Sequence, residues 1–278
     1  MHTNEIVHDT FIPRWFGRLG NNIQQISNSI YFCRQNKIHF TSPDHPHINP
    51  IDINFGDTEY RIKDTSHNWF YFFQGEDADF QVDVKDLNLQ RKKICEEYIL
   101  PKLKINHKEL DDVLDDDILV AHIRSGDVYS PRTHPAYVQN PLSYYLQLYE
   151  MFDGKVIFVT EDTDSIIAKA FDSLKISINV LDVTQSMTLM LRAKAIATSG
   201  VGTFALSAAF CSKNIKKLYC TNLWLPNALN PSMLKEHLDV YSADINDNKY
   251  IKVGEWHHSS DTFKRVIEYN DHISFRRL

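Results

Sequence analysis

No run of about 18 apolar residues occurs in the 278-residue sequence, so no segment is predicted to cross a membrane as a helix. The opening residues, Met1 to His8, have neither the basic start nor the apolar centre of a signal peptide. The four cysteines (Cys33, Cys95, Cys211 and Cys220) form no Cys-x-x-Cys pair, and no Asn-x-Ser/Thr site with a permitted middle residue is present. Together these absences predict a cytoplasmic location with reduced, buried thiols. The thirteen histidines lack the His-Glu-x-x-His arrangement or any other metal-ligand spacing, so neither a metal nor another cofactor is expected. No basic run interleaved with aromatics appears, and the formal net charge of -6 argues against a nucleic-acid partner.

What is there reads as an ordinary globular chain, with 43% hydrophobic and 24% charged residues and length for one large domain or two small ones. Thr10 to Trp15 is an apolar, aromatic stretch predicted as a first strand, followed by Gly17-Arg-Leu-Gly-Asn-Asn22. A helical pattern then carries Ile23, Ile26, Ile30 and Tyr31 and ends near Asn36, and Lys37 to Thr41 reads as a short strand. This order is the start of an open α/β sheet. Ser42 to Pro50 is loop-like, Trp69 to Phe73 is a strongly aromatic run, and Lys85 to Leu100 is predicted helical with Leu87, Leu89, Ile94 and Tyr98 as core contacts. The acidic segment Asp111 to Asp117 is the candidate linker, placing a domain of residues 1-112 before one of residues 113-278.

Beyond that segment strands and helices alternate. Strands are predicted at Ile118–Ile123, Lys155–Val159, Ile178–Leu181 and Ala195–Thr198, with Lys217–Cys220 as the last. Helices are predicted at Leu142–Phe152, Ser165–Leu174, Ser186–Lys194 and Phe204–Cys211. Repeated β–α units with short loops imply a parallel, doubly wound sheet, whose ligands bind at the carboxyl ends of the strands.

Four constellations fall at such ends. In His122-Ile-Arg-Ser-Gly-Asp127, strand alternation puts His122 and Arg124 on one face, Gly126 permits a sharp turn, and Asp127 can orient Arg124 or accept a proton. The planar fork of Arg124 suits a diphosphate, while an ion pair closing a strand end is the plainer alternative. In Ser199-Gly-Val-Gly-Thr-Phe204, small residues before a helix free backbone N–H groups for an anion, with Thr203 as N-cap or phosphate ligand, or simply make a tight turn. It lacks the dinucleotide fingerprint and the lysine of a P-loop. Gly17 to Gln25 is a second Gly loop before a helix, and Thr160-Glu-Asp162 sets carboxylates after a strand, for a ribose, a base edge or solvent.

The order of these segments resembles the fucosyltransferase superfamily, closest to its α-1,2 branch and related to the α-1,6- and protein O-fucosyltransferases. The likeness rests on Leu19 to Gln25, His122 to Asp127, Ile157 to Asp162, Ser199 to Phe204 and the aromatic-Gln segment Phe72 to Gly75, so it spans roughly residues 10 to 225. It implies a GT-B fold, two Rossmann-like halves with a cleft between them, the first for a glycan acceptor and the second for a nucleotide-sugar donor. It also implies inverting, metal-independent transfer with GDP-fucose as the default donor. Catalytic residues carried over are Arg124, Asp127 and His122. Donor-binding ones are Gly20, Asn21, Asn22, Thr160, Glu161, Asp162, Ser199, Gly200, Gly202, Thr203 and Phe204. Acceptor-side candidates are Gln74, Glu76, Asp77, Asp79 and His134, the last in the loop Ser130 to Pro135. Where the family has a second arginine this chain has Ser125, which brings in a UDP-sugar such as UDP-xylose as an alternative donor. A non-catalytic glycan- or nucleotide-binding module is a further alternative. Residues 226-278 are expected to pack back across both halves.

Overall fold

The computed structural model describes residues 12, 14–56, 83–226, 228–246 and 248–278. The chain divides into two compact units, residues 1–104 with 227–229, and residues 105–226 with 230–278. Among the described residues, no helix is long and apolar enough to cross a membrane. All four cysteines are buried free thiols, and burial alone pushes Cys33 well above the ordinary thiol range.

The first unit is built on helix α1 (Leu19–Asn36), whose residues are buried from Asn22 through Cys33. Lys37 ends it in the left-handed conformation, its N–H returning to Arg34 and Cys33 carbonyls. Strands β1 (His39–Thr41) and β2 (Asp52–Asn54) then pair antiparallel. Helix α2 (Val84–Ile94) is capped by Asp83, and it continues as a π-helical turn over Cys95–Ile99 and a 3-10 turn over Leu100–Lys102. Leu87 and Ile94 are buried as expected; Leu89 is not, lying on the exposed side of α2. The fully buried Arg91 of α2 donates from Nη1 to Ser27 Oγ and Asn28 Oδ1 of α1 at 2.6 and 2.7 Å. Among the described residues of this unit the strands pair antiparallel, and the open parallel sheet expected here is not seen in them. Half of the strand expected at Thr10–Trp15 lies outside the described residues, and Ile12, Arg14 and Trp15 are not in a strand.

The second unit is a seven-stranded sheet in the order β5-β4-β3-β6-β7-β8-β9, flanked by helices. Its strands are β3 (Leu119–His122), β4 (Val156–Thr160), β5 (Ile178–Val180), β6 (Ala195–Ala197), β7 (Lys217–Thr221), β8 (Asp239–Ala243) and β9 (Phe275–Arg277). All neighbours are parallel except β8 and β9. Helices α3 (Leu142–Met151), α4 (Ile166–Leu174), α5 (Val183–Arg192), α6 (Phe204–Cys211) and α7 (Ser260–Glu268) complete it. Right-handed crossovers put α3 and α4 on one face with α7, and α5 and α6 on the other. Leu119, Ala121 and Ile123 enter the aromatic core under α3, α4 and α7, among Tyr144, Tyr145, Phe158, Phe171 and Trp256. By strand alternation, Val120 and His122 therefore face α6.

Several expectations are corrected. The strand Lys217–Thr221 is not the last: Asp239–Ala243 and Phe275–Arg277 extend the sheet, their short polar alternation giving little local signal. Helix α5 starts at Val183 rather than Ser186, because Asp182 and Gln185 form a capping box. The acidic segment is no free connector. Asp112 pairs with Arg192, Asp116 with Lys194 and Asp117 with Lys155, at the amino ends of the strands. The three carboxylates are exposed, so the pairs add little stability each, and the division of the chain falls ahead of them, after Lys104.

Candidate functional site

The chain leaves β3 for β4 and β5, then crosses back to β6 on the other side of β3. The loops after β3 and β6 therefore diverge to opposite faces, and the crevice where such a sheet binds ligands opens between them. Both glycine-bearing segments singled out in the sequence end there. Gly126, at φ +64°, turns the chain after Arg124 and Ser125 into a 3-10 turn over Gly126–Tyr129. Gly200, at φ +93°, turns it after β6, and a side chain there would strike the backbone of Val138, Gln139 and Asn140 at 2.6 to 2.9 Å.

Arg124 is held on three sides. Its Nη1 donates to the Val201 carbonyl at 3.0 Å, and its Nη2 to Asp127 Oδ2 at 2.9 Å. Its guanidinium lies 4.3 Å from the centre of the Tyr137 ring. Two of its five N–H donors are thereby used among the described residues, and the rest can meet a ligand. Gly202 leaves room beside it: a Cβ there would stand 3.8 Å from Arg124 Nη1 and 3.5 Å from Ser199 Oγ. His122 Nδ1 shares a hydrogen bond with Ser199 Oγ at 3.2 Å, and its ring lies 5.2 Å from that of Phe204, the first residue of α6. Of the two roles open to Asp127, the observed bond is the orienting one. Thr203 occupies the N-cap of α6 but makes no side-chain capping bond, so its expected capping role is not seen.

The structure thus brings His122, Arg124, Asp127, Ser199, Gly200, Gly202 and Phe204 together. Thr160 and Asp162 sit one strand along and build their own turn, through Thr160 Oγ1 to the Asp162 carbonyl (3.0 Å) and Asp164 N–H to Asp162 Oδ1 (2.9 Å); Glu161 beside them is exposed. His134 is exposed, with its ring 5.2 Å from Tyr137. Gln74, Glu76, Asp77, Asp79 and the aromatic run before them lie outside the described residues.

Sequence reasoning missed the segment that completes the crevice, residues 135–140. Val138 accepts the N–H of Val201 at 2.8 Å, and Gln139 bridges to Gly200. Asn140, fully buried, donates from Nδ2 to the Thr198 carbonyl (2.9 Å) and accepts from Thr221 Oγ1 (2.7 Å), tying the ends of β6 and β7. The tail clasps the same segment: Tyr250 donates its hydroxyl to the Gln139 carbonyl at 2.7 Å, and the Trp256 N–H meets the Pro135 carbonyl at 2.8 Å. No local pattern marks these residues, because each partner is remote in sequence.

Gly20, Asn21 and Asn22 belong to the first unit, in the first turn of α1. The Asn22 side chain is consumed there: Nδ2 donates to the Phe16 carbonyl and Gln25 Oε1, and Oδ1 meets His45 Nε2 at 3.0 Å. It is a structural residue in this unit rather than an exposed ligand. Gly17, at φ +71°, is overlain by the Asn21 side chain. His45 Nδ1 accepts the His47 N–H, so the proton sits on Nε2 and the ring is neutral. Burial, then the neighbouring His47 and Lys104, lower its pKa from 6.5 to about 4. Below pH 6.5 the unfolded chain takes up a proton that the folded one refuses until about pH 4. This stabilising contribution is therefore full above that window and is lost through it on acidification, by at most about 1.4 kcal/mol per pH unit. Urea midpoints of the wild type should fall across the window, and His45→Asn should flatten that part of the profile. An unchanged slope in the variant would refute the assignment.

Among the described residues, no group of three or more His, Cys, Asp or Glu side chains is placed to hold a metal ion. Comparison with family models, curated proteins and solved structures gives no match to this chain.

Proposed function

We propose that the chain is an inverting, metal-independent glycosyltransferase of the GT-B kind, which moves a sugar from a nucleoside-diphosphate sugar to a glycan hydroxyl. The carrying observation is Arg124, fixed between Val201, Asp127 and Tyr137 at the switch between β3 and β6, beside Gly202 and the start of α6. In this reading the acceptor oxygen bonds to the sugar C1 as the bond from C1 to the diphosphate oxygen breaks. The electron pair leaves with the diphosphate, and the hydroxyl proton passes to a base or to water. The remaining Arg124 donors and the first-turn N–H groups of α6, which the helix itself cannot satisfy, stabilise that developing charge. Asp127 orients Arg124, and His122 with Ser199 lines the floor.

GDP-fucose is the donor proposed first, on the resemblance described above. A UDP-sugar is the second reading, favoured by Ser125: where the family has a cation this chain has a neutral residue, 1% exposed, whose hydroxyl has no hydrogen-bond partner among the described residues. Thermal shifts with GDP, UDP, CDP and ADP, each with and without magnesium, separate the two. A nucleotide at about 100 times its dissociation constant adds about 2.7 kcal/mol, which is several degrees for a chain of this size. The expected outcome is a GDP response unchanged by magnesium, with slow EDTA-insensitive donor hydrolysis. A UDP response without a GDP response selects the second reading. Glycan binding with no nucleotide response overturns both in favour of a non-catalytic module.

A further inference from the structure

Two hydrogen bonds to Arg124, from Nη1 to Val201 and from Nη2 to Asp127, fix its guanidinium at two points along one edge. They leave it free to hinge about the line joining them, and the ring of Tyr137, with the guanidinium carbon over it 4.3 Å from its centre, restricts that freedom. The ring lies 5.2 Å from that of His134, and the backbone that carries it is held before any ligand arrives. The Tyr137 N–H donates to the His134 carbonyl at 3.0 Å, and its carbonyl accepts Gln139 Nε2 at 2.7 Å. The residues on either side are bonded to Val201, Tyr250 and Trp256. A phenol face carries negative potential, so it attracts the cation as well as fixing its plane.

We propose that Tyr137 is a positioning residue, which sets the plane of Arg124 so that its unused N–H donors meet the phosphate oxygens of the nucleotide. The inference rests on the nucleoside-diphosphate reading of the site. It makes the aromatic ring part of the anion grip without touching the anion. A cation held over an aromatic face contributes the equivalent of roughly two- to thirtyfold in affinity, so a change near tenfold is expected.

The test measures dissociation constants of GDP and UDP for the full chain with Tyr137→Phe, Tyr137→Leu, Arg124→Ala and the Leu/Ala double variant. Tyr137→Phe stays within about threefold of wild type, and Tyr137→Leu weakens the nucleotide about tenfold. In the Arg124→Ala background the Leu substitution has no further effect, because its action passes through the arginine. A Tyr137→Leu affinity equal to wild type, or a loss that persists without Arg124, overturns the proposal. Should Tyr137→Leu fail to fold, phenylalanines with one, two and three ring fluorines at position 137 keep the shape while draining charge from the face. Stepwise weakening supports the proposal, and a flat series overturns it. The same cycle on urea midpoints, without nucleotide, reads the pair directly. Coupling between Arg124 and Tyr137 in a wild type that binds no nucleotide refutes the nucleotide reading while the contact stands. Absence of coupling refutes the positioning role itself.

Discussion

Arg124→Ala is expected to abolish donor turnover and to weaken nucleoside-diphosphate binding by about two to four orders of magnitude. The reasoning is additive in kind. Each charge-assisted hydrogen bond contributes about 1.5 to 3 kcal/mol, and a planar fork makes two to one phosphate group. The loss falls on turnover more than on binding if the contacts tighten as charge develops on the departing diphosphate. Removing the guanidinium also takes away the bonds it donates to the Val201 carbonyl and Asp127 Oδ2. Asp127 is more than a third exposed, so water can replace that bond, and the fold should persist. Arg124→Lys should not restore function. A single ammonium cannot reach Val201 and Asp127, sit over Tyr137 and still present two donors to a ligand. Isothermal titration with GDP and UDP, run beside circular dichroism, checks the expectation. Wild-type affinity in a folded Arg124→Ala protein would end the diphosphate reading of this site.

Trp256→Ala is expected to destabilise the sheet-bearing unit by about 3 to 5 kcal/mol, as large-to-small changes at fully buried aromatics do. The side chain is 1% exposed and its Nε1 donates to the Val128 carbonyl at 2.8 Å. Its ring packs edge-on to Tyr129 at 5.9 Å. Truncation therefore opens a cavity and strands a buried carbonyl at once, under the turn that follows Arg124. Trp256→Phe keeps most of the packing and loses only the donor, so it should cost about 1 to 2 kcal/mol. Urea unfolding followed by tyrosine fluorescence gives both numbers. A loss below about 1 kcal/mol for the alanine variant would show that the tail does not brace the turn.

Much of the site was readable in the chain itself because its parts are local. The strand Leu119–His122 shows as an apolar run, the turn after it as Ser-Gly-Asp, and the β6–α6 turn as two glycines between apolar stretches. Helices α3, α4 and α6 lie within a residue or two of their periodic patterns. The pattern failed where local preference was overridden. Leu89 looked like core but points away from α1's side of α2, and Asp111 to Asp117 looked like solvent linker but ties down the sheet's amino ends. Strands β8 and β9 are short and polar on one side, and only their pairing identifies them.

The sequence by itself determined a parallel α/β sheet and which two strand ends carry the arginine and the glycines, because alternation, capping and positive φ act over a few residues. Only the tertiary structure decided that those two ends are neighbours at the switch of strand order. It also decided that Arg124 is framed by Val201 and Tyr137, and that Tyr250 and Trp256 clasp the segment carrying that ring. The Arg124–Val201 and Tyr250–Gln139 bonds join residues 77 and 111 positions apart. Contacts at such separations are selected by the packing of the whole sheet, and they leave no periodic trace in the chain that makes them.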